Sequence, residues 1–126
     1  MAEAGEINNV NLSGIQFTED GRAMNLHLIG MTPPYGTTIA QCQTVFSIRW
    51  DIGPDADFPY YVGELIWHEL SQKEKQALLE KADYSIFDST GQPAIATRRI
   101  IHVHLDGDIY GELLAGGFRL EEQVGK

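Results

Sequence analysis

Residues 7–30, INNVNLSGIQFTEDGRAMNLHLIG, decide the fold. Two runs of alternating apolar and polar residues, 7–18 and 23–30, flank the turn signal EDGR, and this pattern reads as a β-hairpin. A four-residue loop sets Phe17 opposite Met24 and Ile15 opposite Leu26, leaving Gln16, Thr18, Asn25 and His27 on the other face. Separation of that kind specifies register, because a slip of one residue would turn every apolar group to the wrong side. Val10 and Leu12 have the opposite parity to Ile15 and Phe17, so a bulge is expected near Ser13-Gly14.

Downstream the chain continues in the same idiom. MTPPYGT is a loop, since two prolines do not sit in a central strand. Residues 38–50 form a long strand, with Cys42, Thr44, Phe46, Ile48 and Trp50 on one face. Gln41, Gln43, Ser47 and Arg49 occupy the other, with Val45 among them. DIGPDADFP is a second loop, and 60–69 a strand whose faces are both mixed. SQKEKQALLEKA then changes the period. Ser71 and Glu74 make a capping box before strong helix formers, which predicts one helix near 72–82. Leu70, Ala77, Leu78 and Leu79 supply its apolar stripe, with Lys73, Lys75, Glu80 and Lys81 solvated. DSTGQP is a turn, and strands follow at 96–105 and 108–114 with a short last piece at 117–121. The order β-β-β-β-α-β-β with short connections predicts a mostly β (α+β) fold. An antiparallel sheet forming a sandwich or partly open barrel is expected, in a single domain over 1–126.

The chain has 126 residues, 43% of them apolar, enough for a core without staples. Its one cysteine, Cys42, cannot close an internal disulfide, which points to a reducing, cytoplasmic setting. MAEAGEINNV lacks the features of a signal peptide, and no apolar run is long enough to cross a bilayer, so no membrane association is expected. The net charge of −9 opposes nucleic-acid binding and can attract a protein with a basic surface.

RIIHVHLDGDIYGE, residues 99–112, holds the most suggestive chemistry. Gly107 in a left-handed turn would set His104 opposite Asp108 and Val103 opposite Ile109. Ile101, Val103, Ile109 and Leu113 then share the buried face. His102, His104, Asp108, Tyr110 and Glu112 share the other, with Ile100. Imidazoles two residues apart on a strand, joined by a carboxylate, can hold zinc, iron or manganese. His27 would be a third imidazole and His68 a weaker one. The spacing of His102, His104 and Asp108 resembles the histidine motif of the cupin superfamily, which implies a metal-dependent or small-ligand-binding β-barrel. Ala96 stands where that motif has glycine, and no histidine follows His104.

No nucleophile motif, phosphate loop or calcium loop is present, and Cys42 falls on an apolar face, so no cofactor and no catalysis are expected. Trp50, Phe58, Tyr60, Tyr61 and Trp67 fall within eighteen residues and form a candidate interaction surface, because tryptophan and tyrosine dominate binding hot spots. Size, acidity and strand pattern resemble small strand-rich bacterial proteins of the immunity-protein type. That resemblance implies a non-catalytic module that binds a partner. The long polar-faced strand at 38–50 would present an open edge, which predicts a homodimer burying aromatic residues of 58–67.

Overall fold

The structure is a computed structural model that describes residues 4–33, 35–81 and 98–123. Six strands, β1 (Ala4–Phe17), β2 (Met24–Gly30), β3 (Thr37–Ile52), β4 (Tyr60–Glu69), β5 (Ile101–Gly107) and β6 (Ile109–Gln123), and one helix, α1 (Gln72–Lys81), follow in the expected order. The sheet closes on itself in the order β1-β2-β3-β6-β5-β4, antiparallel throughout, with β1 pairing β4 from Ala4–His68 to Leu12–Tyr60. Of the expected forms it takes the barrel, and the barrel is closed. β3 pairs β6 from Thr37 to Ile52, and on its other side pairs β2 from Thr37 to Cys42.

The first hairpin has the expected register. Ile15 pairs Leu26, Phe17 pairs Met24, and the ladder shifts between Leu12 and Gly14. Gly21 sits at φ +72° in its turn, a conformation that glycine adopts without strain. The barrel interior is solid: Leu12, Met24, Leu26, Leu65, Leu105 and Leu113 are all fully buried. Even eight strands leave an interior only just filled by side chains, and six leave less. Cys42 lies in this core, and burial pushes its thiol up to about 12.

Two bulges correct the expected faces. In β4, Gly63 is the extra residue between Val62 and Glu64, so Val62 and Leu65 both point inward although three apart. The mixed pattern of 60–69 comes from this change of phase. In β3, Thr44 has φ +52° and Phe46 is the extra residue between Val45 and Ser47. Thr44 and Phe46 therefore leave the face of Cys42. Val45 joins the core, whereas Phe46 packs outside with Leu70, Ile100, Leu114 and Leu78. That outer cluster is where α1 rests.

The second hairpin departs further. Val103 pairs Leu113 and His104 pairs Glu112, four residues from the expected register. The turn is wide because its backbone groups bond to β4: the Asp108 N–H donates to the Tyr61 carbonyl at 2.9 Å. Gly107 is not left-handed. It is glycine because a Cβ would lie 2.3 Å from that same carbonyl oxygen. A shift of four is even, so the two faces keep their members apart from Asp108. β6 also runs unbroken to Gln123 in place of two pieces. Strand β5 begins at Ile101, later than expected; residues 96–97 and DSTGQP lie outside the described residues.

The capping box forms in both directions. Ser71 Oγ accepts from the Glu74 N–H at 3.1 Å, and Glu74 Oε1 accepts from the Ser71 N–H at 3.0 Å. Lys75, expected in solvent, is 7% exposed, and its ammonium donates to the Arg98 carbonyl. Ala77, by contrast, is exposed. Ser71→Ala is expected to lower stability by about 1 kcal/mol, seen as a lower denaturant midpoint; an unchanged midpoint would show that the cap contributes nothing.

Candidate functional site

Strand alternation sends His68 of β4 and His102 and His104 of β5 through the outside of the barrel wall. His68 and His102 are directly paired across the two strands. Their ring centroids lie 5.5 Å apart, His102 and His104 lie 6.3 Å apart, and His104 meets Tyr110 at 4.9 Å. The result is a row of three imidazoles ended by a phenol.

Two carboxylates flank the row. Glu74, the capping residue of α1, places Oε2 3.1 Å from His68 Nε2. The same side chain thus ties the helix start to the barrel wall. The Ser71 N–H and then His68 hold its carboxyl below the usual range. Glu112 of β6 places Oε1 3.5 Å from His102 Nε2. His104 has no such partner, and its Nε2 is shut from solvent without a hydrogen bond.

Helix α1 leaves a cleft on each side of Leu78. One, of about 270 Å³, is lined by His68, Leu70, Glu74, Ala77, Leu78 and His102. The other, of about 120 Å³, is lined by Ser47, Arg49, Leu78, His102, Glu112 and Leu114. His102 is common to both. Burial lowers its pKa below the ordinary 6.5, against the opposing pull of Glu112, while His68 and His104 add to the lowering.

Of the residues singled out from sequence, His102 and His104 come together and Asp108 does not join them. Asp108 sits exposed in the turn, where its backbone bonds to Tyr61 and Gly53. His27 does not join either. Its strand β2 is diametrically opposite β5 in the ring of strands, and its ring packs on Gly14. His68, the weaker candidate, is the direct neighbour, and Glu74 and Glu112 are the carboxylates. Among the described residues no three His, Cys, Asp or Glu side chains are grouped as a metal ion requires. The capping box already singled out Glu74; its reach to His68 depends on how the helix lies on the wall.

The aromatic surface also divides. Trp50, Tyr60 and Trp67 pack against the core, with Trp67 4.7 Å from Phe118. Tyr61 is half-buried and donates its hydroxyl to Asn9 at 2.7 Å. Phe58 alone of the five is well exposed, at 61%.

The His102 shift has a sign that can be measured. A histidine with a lowered folded pKa binds fewer protons than in the unfolded chain, so its contribution to stability is present above 6.5 and lost on acidification through the lowered value. Stability is expected to fall between about pH 7 and pH 5. His102→Gln should flatten that slope in denaturant midpoints taken at each pH. An equally steep slope in the variant would assign it to other groups; Glu74 titrates below this window, since its carboxyl is lowered from 4.5.

No family model matches this chain, and no curated protein does. Among solved structures it is similar to the crystal structure of an uncharacterized protein from Neisseria gonorrhoeae, at 15% identity and a TM-score of 0.61. The match covers 96% of this chain and 97% of that one, so the fold is one that another protein shares.

Proposed function

We propose that the chain is a non-catalytic interaction module that binds a protein with a basic surface. The observation that carries this reading is the solid barrel. Small-ligand barrels hold their ligand in the lumen, and here Leu12, Leu26, Leu65 and Leu105 fill that space at 0% exposure. Binding therefore belongs to the outside. The outside carries a net negative charge. The immunity-type resemblance agrees with a small acidic module whose activity is to occupy a partner. A buried thiol raised to about 12 suits a cytoplasmic setting, where Cys42 stays reduced and inert. No helix of the described residues is long and apolar enough to cross a membrane.

The second reading, a metal- or small-ligand-dependent protein of cupin type, draws on the imidazole row and on the shut-off Nε2 of His104. It has to work from the outer wall, without Asp108 or His27.

Copurification from the native host at low salt, then reconstitution from pure components by calorimetry, is expected to give a stoichiometric complex with a basic protein. Its affinity should fall as salt rises. Elemental analysis of untagged protein is expected to find no stoichiometric metal. About one zinc, iron or manganese per chain, lost together with either imidazole of His102 and His104, would replace the first reading with the second.

A further inference from the structure

The first hairpin runs past the wall that should cover it. The last pair between β1 and β4 is Leu12–Tyr60, yet β1 continues to Phe17 beside β2. Ile15 and Phe17 share a face with their partners Leu26 and Met24, which are fully buried. They are nonetheless 41% and 52% exposed, because among the described residues no strand pairs with the other edge of β1 beyond Leu12. This is core-facing apolar surface that the barrel does not cover.

The same end carries the other uncovered apolar groups of the β3–β4 connection. β1 and β3 run in the same direction, so Phe17 and Ile52 end their strands at one end of the barrel. Ile52 is 50% exposed and Phe58 61%, at the two ends of the 53–59 loop. The Gly53 N–H donates to the Asp108 carbonyl, and the Asp108 N–H to Tyr61, each at 2.9 Å, which roots the loop against β4. Phe58 stacks edge-on against Tyr60, the residue opposite Leu12, with ring centroids 5.4 Å apart. An open hollow of about 620 Å³, with Thr18, Asp20, Arg22 and Thr44 in its lining, continues this surface onto β3.

Charge at this end is mostly negative. Glu19, Asp20, Asp51, Asp55, Asp57 and Asp108 are all exposed there. Among the described residues only Arg22 and Arg49 oppose them, and Arg49 lies 3.4 Å from Asp51. The Thr18 hydroxyl and the Arg22 N–H both bond to the Asp20 carboxylate and keep it ionised.

We propose that this end of the barrel docks a basic polypeptide segment that also bears apolar side chains, with Phe17 and Phe58 as anchors and the acidic rim selecting lysine and arginine. The proposal rests on the interaction-module reading and gives it a place. Apolar anchors desolvated at the centre supply affinity, and surrounding charge supplies steering and choice of partner. An acidic segment would be repelled by the same rim.

The test is an NMR titration of the full chain with a short amphipathic peptide of lysine and leucine. Controls are the glutamate–leucine and lysine–serine peptides. Amide shifts are expected in 15–22 and 51–58 with the lysine–leucine peptide. Affinity should drop about tenfold or more in Phe17→Ser/Phe58→Ser, whose exposed positions leave the dispersed spectrum intact. Asp55→Asn/Asp57→Asn should weaken binding at low salt and reduce its salt dependence. Equal binding of the lysine–serine or glutamate–leucine peptide would overturn the anchor or the rim. Concentration-dependent dimerisation lost in Phe17→Ser would make a second copy the occupant and overturn the basic partner. Shifts confined to the histidine row would overturn the location alone and leave the interaction module standing. An absence of binding by every peptide overturns the docking site, while the native-host reconstitution judges the module itself.

Discussion

The pairing of β1 with β4 is the constraint on which the rest depends. It joins Ala4–Leu12 to Tyr60–His68 and converts a curved sheet into a ring. Without it, two strands would present unpaired N–H and C=O groups, the usual template for aggregation. With it, the inward residues of six strands meet across a narrow axis, and Leu and Val side chains fill the space completely. The closure also fills the interior with the side chains of the described strands.

The bulges make the closure possible. Gly63 in β4 and Phe46 in β3 each insert a residue, bend their strands and switch the phase of the side chains. Bulky groups are accommodated at glycines: a Cβ on Gly111 would lie 2.3 Å from the ring of Trp50, and one on Gly5 would lie 2.4 Å from that of Trp67. Phe46, expelled from the core by its bulge, becomes part of the floor under α1 with Ile100 and Leu114. A local irregularity in one strand therefore decides where the helix sits, and the helix in turn sets Glu74 against His68.

Two surfaces result, with different physics. The histidine row is a half-buried strip whose carboxylates come from two other elements, Glu74 of α1 and Glu112 of β6. The opposite character belongs to the end holding Phe17 and Phe58, where apolar groups are bare and exposed carboxylates outnumber the arginines. A partner held there would respond to salt, and the row under the helix to acid.

Much of this was legible in the chain by itself. Alternation placed Ile15 opposite Leu26 and marked the bulge at Ser13-Gly14, because both follow from local period and a short loop. The S-x-x-E box marked the helix start for the same reason. The outward face of β5 and β6 was legible too, since His102, His104, Tyr110 and Glu112 alternate with buried aliphatics. What the tertiary structure alone decided was long-range. A four-residue register shift keeps both faces and so leaves no trace in the alternation, yet it replaced Asp108 by Glu112. The ring of strands put His27 on the far wall and His68 beside His102, a pairing of residues 34 apart that no local pattern encodes. The lack of a β4 partner beyond Leu12 left Ile15 and Phe17 bare. Local period reports which face a residue takes; which strand lies beside it is settled only when distant segments compete for the same backbone hydrogen bonds.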